Sequence, residues 1–178
     1  GDKTDKVGNN TYRQGQFWYN NSQVMKGLTD CSGGNVKTLK DRIAQITPAG
    51  ATRADYGLEL ARDIPSGRAG AKKVVVFFTD GTPTSGNTFN SDVANKVTAA
   101  KNMKDSKAAV YTIGIFDGAN PSASIQDSNT SQENKFMQAV SSNYPNATAW
   151  NAHGTRAENS DYYKSATNAE ELKKVFDD

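Results

Sequence analysis

The sequence predicts an α/β domain with a doubly wound, mostly parallel sheet, and three observations carry this prediction. Residues 73–79 and 110–116 are two apolar runs rich in β-branched and aromatic side chains, which is typical of parallel strands covered on both faces. Between them, residues 90–106 place Val93 and Val97 at helical spacing. A strand, a helix and a strand in this order form a βαβ unit, so we expect the two strands to be parallel neighbours.

Upstream of this unit, the pattern predicts one or two polar strands near the N-terminus and then two helices. Apolar residues recur at helical spacing from Val36 to Ile46, and Asn35 is the expected N-cap of that helix. A second helix is expected over residues 53–64, ended by Pro65, because proline cannot continue a helix.

Downstream, residues 117–160 form a long segment rich in Ser, Asn, Ala and Asp, in which only residues 133–142 resemble a helix. So long a connection is uncommon in a compact domain and is often functional surface. A short edge strand is expected at residues 162–164. The pair Thr167 and Glu170 has the spacing of a capping box, which predicts a final helix.

Composition limits the function classes. The 178 residues suit one domain, with 21 Lys and Arg against 19 Asp and Glu, a formal charge of +2. This balance gives no overall electrostatic case for nucleic acid or an anionic membrane, and no apolar run is long enough to span a bilayer. The single cysteine, Cys31, excludes an internal disulfide, and the single histidine, His153, is expected on the surface. Hydrophobic residues make up only 35%, which indicates a thin core.

The residues that follow the first apolar strand are the strongest candidates for a binding site. Asp80, Gly81, Thr82 and Pro83 come directly after it. A carboxylate there lies at the carboxyl edge of the sheet, where open α/β sheets bind ligands. The alternative is that Asp-Gly only makes a turn, with Gly81 allowing a sharp bend.

A second loop carries Thr52 in a Gly/Ala-rich stretch at the start of a helix, where a threonine can equally serve as an N-cap. Taken together, the stretches GATRADYGLELA and VVVFFTDGTPTSG closely resemble the von Willebrand factor A domain family. The tail YYKSATNAEELKKVF resembles that family's last strand and helix, and residues 1–8 resemble the start of its second strand. The resemblance covers residues 2–176 of the chain, with residues 117–160 as an enlargement.

The resemblance implies a metal-ion-dependent adhesion site that holds Mg²⁺, or Mn²⁺ or Ca²⁺ in its place. Thr52 matches the family's threonine ligand and Asp80 its third-loop aspartate, while Thr82 and Pro83 match positions expected to touch the ligand. Mg²⁺ is a hard cation that prefers oxygen ligands. The implied partner is a host or matrix protein that offers a carboxylate to the metal.

The family's first loop, Asp-x-Ser-x-Ser, is not found, and with it the central first strand is missing from the expected sheet. The nearest match, Asp30-Cys31-Ser32, ends in Gly34 where the second serine belongs, so we interpret it as a turn before a helix. The chain is therefore expected to be a fragment or to lack part of its native sequence. With only Thr52 and Asp80 as ligands, Mg²⁺ would be held weakly.

The resemblance favours a binding module over an enzyme. The expected function is extracellular adhesion on a cell surface, and residues 133–150 together with 156–166 resemble pilus-tip and cell-wall adhesins of Gram-positive bacteria. One alternative is an intracellular scaffold of the same family for an ATPase. Another is a phosphatase of the haloacid dehalogenase type, but its nucleophile position holds Phe78, which cannot attack phosphorus.

Overall fold

The computed structural model describes residue 8 and residues 11–14, 16–46, 51–65, 67–85, 88–151 and 154–177. Residues 1–7 of the segment that resembles the family's second strand, and His153, lie outside them. The strands are β1 (Thr11–Gln14), β2 (Phe17–Asn20), β3 (Val74–Thr79), β4 (Ala109–Gly114) and β5 (Tyr163–Ser165). The helices are α1 (Gly34–Ala44), α2 (Ala54–Asp63), α3 (Ser91–Asn95), α4 (Thr98–Asp105), α5 (Gln132–Val140) and α6 (Ala169–Asp177).

The main sheet has three parallel strands in the order β3-β4-β5. β3 and β4 pair in parallel from Val74 opposite Ala109 to Thr79 opposite Gly114, which confirms the predicted βαβ unit. β5 pairs in parallel with the other side of β4. β1 and β2 form a separate antiparallel hairpin, so the two polar strands near the N-terminus are also confirmed.

The core lies on the face of the sheet that α2, α4 and α5 cover. Leu58 of α2, Val110 of β4 and Phe136 of α5 are almost fully buried there. Phe77 packs edge-to-face on Phe136, with 6.0 Å between ring centroids, a favourable aromatic geometry. The long segment after β4 joins this core through buried residues such as Ile125, so most of it is packed onto the domain.

The expectation that both faces of β3 are covered is wrong. Val74, Val76 and Phe78 are 59%, 48% and 49% exposed. These alternate residues share one face of the strand. In the described part of the chain β3 is the edge of the sheet, while α6 on this side packs on β5. An apolar strand is buried only where helices cover its face and strands flank it, and here that cover is incomplete.

Two predicted helices differ in detail. α1 begins at Gly34 with Gly33 as its N-cap. The predicted N-cap, Asn35, lies inside the helix, because the chain turns at Ser32 and the Asn35 N–H donates to the Ser32 carbonyl. The single helix expected over residues 90–106 is two helices, α3 and α4. Asn90 caps α3 with its side chain, and the break lets the chain bend before α4.

The last helix has its N-cap one residue later than predicted. The Glu171 N–H donates to Asn168 Oδ1, and Glu171 Oε2 accepts from the Thr167 N–H and hydroxyl. Asn168, not Thr167, is therefore the N-cap, and the Glu171 carboxylate binds back to Thr167, the residue before the cap. These hydrogen bonds hold the pKa of Glu171 below its usual value.

Candidate metal and ligand site

Two loops meet at the carboxyl end of β3, and hydrogen bonds join them. The Thr84 N–H donates to the Thr52 carbonyl, and the Thr52 N–H donates to Thr84 Oγ1, each over 3.1 Å. The loop before α2 is thereby fixed beside the loop after β3. Each loop carries one of the two metal ligands expected from sequence, Thr52 and Asp80.

The Thr52 hydroxyl faces the backbone next to Asp80. A β-carbon built on Gly81 would lie 4.0 Å from Thr52 Oγ1, so the hydroxyl lies in van der Waals range of that position. The Thr79 hydroxyl shapes the turn, because it donates to the Gly81 carbonyl and accepts from the Gly81 N–H. The Asp80 side chain is exposed, and no hydrogen bond or ion pair to it is found among the described residues.

A buried ion pair supports the Thr52 loop from below. Asp55 is 1% exposed and accepts two hydrogen bonds from the Arg53 guanidinium, at 2.9 and 2.7 Å. The guanidinium also lies 3.7 Å from the centroid of the Tyr56 ring. Hydrogen bonding to Asp55 raises the pKa of Arg53 above its ordinary value, so the guanidinium stays charged. Bidentate geometry of this kind fixes orientation as well as adding energy.

A cavity of about 670 Å³ opens beside Asp80, between the ends of β3 and β4 and the start of α5. Its lining includes four carboxylates and no lysine, arginine or histidine; the carboxylates belong to Asp80, Asp117, Asp127 and Glu133. Four carboxylates in one lining create a negative potential that attracts cations. The cavity therefore favours a metal ion, or a basic group, over a free anion.

Thr82 and Pro83, the expected ligand-contacting residues, lie in different surroundings. Thr82 lines the cavity, and its hydroxyl donates to Glu133 Oε1 over 3.0 Å. Pro83 is buried, and its carbonyl accepts from the Asn90 N–H. Thr82 can therefore contact a ligand directly, whereas the burial of Pro83 does not favour such a contact for Pro83. Sequence analysis missed Glu133, because 51 residues separate it from Thr82.

The far wall of the cavity is held by one buried amide. Asn134 is 5% exposed. Its Nδ2 donates to the Gly118 carbonyl and its Oδ1 accepts from the Asn120 N–H, both over 2.8 Å. The loop after β4 is thus tied to α5, so the cavity is part of the folded structure.

The residues present fit Mg²⁺ in chemistry but supply few ligands. A hydroxyl from Thr52 and a carboxylate from Asp80 are hard oxygen donors. Within the described ranges, no group of three or more His, Cys, Asp or Glu side chains is arranged to hold a metal. The turn at residues 30–33 precedes α1 as expected and leaves Cys31 exposed. Water would have to complete an octahedral shell around the ion.

Comparison with known proteins identifies the family. The family model for the von Willebrand factor type A domain matches residues 3–150. The chain belongs to the von Willebrand factor type A domain family. No curated protein and no solved structure matches it. The match includes both loops of the candidate site and most of the long segment after β4. β5 and α6 follow the matched range, and β5 extends the parallel sheet.

Domains of this type are protein-interaction and adhesion modules. No helix in the described residues is long and apolar enough to cross a membrane.

Proposed function

We propose that this von Willebrand A domain is an extracellular, non-enzymatic adhesion module that binds a protein or matrix ligand through a divalent cation. The observation that carries the proposal is the pairing of the Thr52 and Thr84 loops, which places the Thr52 hydroxyl against the backbone that follows Asp80. A cell-surface location, as part of a larger adhesin, follows from the same proposal.

The electrostatics of the site support a cation there. The Asp80 carboxylate is exposed and has no described partner, and three further carboxylates line the adjoining cavity. The negative potential of these carboxylates attracts a divalent cation to this edge, because opposite charges attract. The same field repels a free carboxylate, so an acidic ligand would need the cation as a bridge.

Thr52 and Asp80 would hold the ion, one through a neutral hydroxyl and one through a carboxylate. When bound, Mg²⁺ supplies an electrophilic centre that takes an oxygen donor from the ligand. The protein's own part would be to keep the Thr52 and Asp80 loops side by side through the Thr52–Thr84 hydrogen bonds. The Arg53–Asp55 pair would orient the Thr52 loop. Thr82, on the cavity wall, is the side chain placed to contact the ligand next to the ion.

The test is titration of the purified chain with Mg²⁺ and Mn²⁺ by calorimetry, together with nuclear magnetic resonance. We expect weak binding that Asp80→Ala and Thr52→Val abolish, and paramagnetic broadening by Mn²⁺ centred on the amides of Thr52 and Gly81. Asp41→Ala is the matched control, since Asp41 is an exposed carboxylate on α1 that pairs only with Lys37 among the described residues. Acetate, the simplest carboxylate probe, should bind only when the metal is present.

Two results would contradict the proposal. Broadening by Mn²⁺ that is spread over surface carboxylates, with Asp41→Ala reducing it as much as Asp80→Ala, would show only diffuse attraction of cations. Acetate binding that does not depend on metal would show that the ligand is held by other groups.

A longer chain that also carries an Asp-x-Ser-x-Ser loop should bind Mg²⁺ more tightly than this one, since affinity increases with each correctly placed oxygen ligand.

A further inference from the structure

A second cavity lies at the other end of the parallel strands, and the side chains that line it carry positive charge. It has a volume of about 440 Å³ and lies where β3 and β4 begin, against the ends of α2 and α4. Its charged lining residues are all basic, namely Arg62, Lys72, Lys73 and Lys107. From this cavity and the backbone at Lys107 we infer a binding site for an oxyanion of the phosphate or sulfate class, distinct from the candidate metal site.

Lys107 adopts a backbone conformation that lysine rarely takes. Its φ is 66°, in the left-handed region that L-residues other than Gly, Asn and Asp seldom enter. The Ala108 N–H donates to the Met103 carbonyl and the Lys107 N–H to the Lys104 carbonyl. This is the Schellman arrangement that ends many helices, and its left-handed position is usually glycine. A lysine there costs backbone strain, and unusual strain of this kind is concentrated at functional sites.

Two of the basic residues that line the cavity, Lys73 and Arg62, already have partners within the fold. The Lys73 ammonium is half-buried and donates to the carbonyls of Ala61, Arg62 and Ile64, so it fastens the end of α2. Burial lowers the pKa of Lys73, and a bound anion would offset that loss of hydration. The Arg62 guanidinium pairs with Asp63.

Lys72 and Lys107 are different. Both are exposed on the wall of the cavity, and no described carboxylate lies within ion-pair distance of either. Hydrogen bonds to carbonyls at the end of α2 therefore explain the position of Lys73, but the described contacts of the Lys72 and Lys107 side chains provide no such explanation. Asn102 adds an amide to the same lining, while the Ser106 hydroxyl already donates to the Asn102 carbonyl over 3.0 Å. Two ammonium groups without an ion-pair partner among the described residues, with a neutral amide in the same lining, suit a multiply charged oxyanion.

The experiment is a titration of the isotopically labelled chain with inorganic phosphate, sulfate and a short polyphosphate, at constant ionic strength set by sodium chloride. We expect saturable shifts confined to the amides of residues 72–73 and 106–108. Lys72→Gln and Lys107→Gln should each weaken binding about fivefold, as for the loss of one charge-assisted hydrogen bond. Lys40→Gln, on the exposed face of α1, should not change it. Tighter binding of polyphosphate would identify a polymer-linked oxyanion as the source, and equal binding a free one.

Lys107→Gly keeps the test independent of folding, because glycine relieves the strain while removing the charge. We expect this variant to fold at least as well as the parent chain and still to bind phosphate more weakly. Shifts that do not saturate, or that Lys40→Gln reduces as much as Lys107→Gln, would overturn the inference. Removal of Mg²⁺ or the Asp80→Ala substitution should leave oxyanion binding unchanged, so the two sites can fail separately.

Discussion

The Tyr163 hydroxyl donates a 2.7 Å hydrogen bond to Oδ1 of Asn134, which lies 29 residues earlier in the chain. Tyr163 is fully buried in β5, and burial raises its pKa far above the ordinary value, so the hydroxyl stays protonated and can donate. Asn134 holds the loop at Gly118 and Asn120 on the cavity wall. The last strand of the sheet is therefore linked, through one amide, to the candidate ligand cavity.

Tyr163→Phe should lower the free energy of unfolding by about 1 kcal/mol, the usual net contribution of a buried hydrogen bond. Urea unfolding measures this. Tyr162→Phe is the control, since the Tyr162 ring packs on Tyr111 with 4.9 Å between centroids and its hydroxyl has no described partner. Equal losses in the two variants would show that the Asn134 hydrogen bond contributes nothing.

Thr84→Val should loosen the two loops of the candidate site. The substitution keeps the shape of the side chain but removes the oxygen that accepts from the Thr52 N–H, leaving a partly buried donor unpaired. We expect a loss of about 1–2 kcal/mol in the free energy of unfolding and weaker Mn²⁺ binding by calorimetry. Thr88→Val, at an exposed position in the same loop, should change neither quantity; a similar loss there would argue against the Thr52–Thr84 link.

Lys104 should make the free energy of unfolding depend on pH. It is 8% exposed, and its ammonium donates to the carbonyls of Ala139, Ser141 and Tyr144. Burial lowers the pKa of Lys104 to about 7, from 10.5. Below pH 7 both the folded and the unfolded chain bind this proton. Between pH 7 and 10.5 mainly the unfolded chain does, so this lysine makes the free energy of unfolding rise with pH.

Lys104→Met should remove that rise, which is at most about 1.4 kcal/mol per pH unit. Urea unfolding at several pH values from 6 to 10 compares the variant with the parent chain, and Lys40→Met, at an exposed site, corrects for general effects of lost charge. Nuclear magnetic resonance of the lysine side chains should also show one amine that titrates near pH 7. The same pH slope in the parent and Lys104→Met chains would contradict the assignment.

The sequence predicted the paired parallel strands and the two site loops, because both depend on local signals. An apolar β-branched run before Asp80 identifies β3 without any knowledge of its neighbours. The two loops were related to one another only through the family resemblance, since 28 positions separate Thr52 from Asp80 in the chain. The fold brings the two loops next to each other. Their role as metal ligands stays a prediction.

Other features depend on contacts that a sequence pattern does not contain. The exposure of Phe78 depends on what lies beside and above β3, and a lysine such as Lys104 is normally solvated, so its burial among carbonyls is invisible until α4 and α5 are packed together. The shift of the last N-cap from Thr167 to Asn168 shows a smaller limit: adjacent Thr and Asn are both good caps, and only the position of Glu171 decides between them.

Phe78→Thr tests the exposed face of β3. The Phe78 side chain is 49% exposed, so its removal should cost less than about 1 kcal/mol of stability. Phe136→Ala, at a residue that is 1% exposed, should cost about 3–5 kcal/mol. Phe78→Thr should also reduce binding of a hydrophobic dye, because an exposed apolar patch becomes smaller. A loss as large as that of Phe136→Ala would show that the face is covered in solution.

Lys107→Gly should raise stability, which few substitutions of a native residue do. The left-handed backbone at Lys107, with φ of 66°, costs about 1–2 kcal/mol in a residue that has a β-carbon, and glycine removes this cost. The added freedom of glycine in the unfolded chain takes back part of the gain, so we expect a net increase of about 1 kcal/mol in urea unfolding. Asn159 provides the comparison, because its φ is also positive, at 52°, but asparagine tolerates this conformation. Asn159→Gly should therefore gain less than Lys107→Gly. Equal gains at both positions, or a loss at Lys107, would show that the backbone at the lysine is not strained. Backbone strain would then no longer support the proposed oxyanion site.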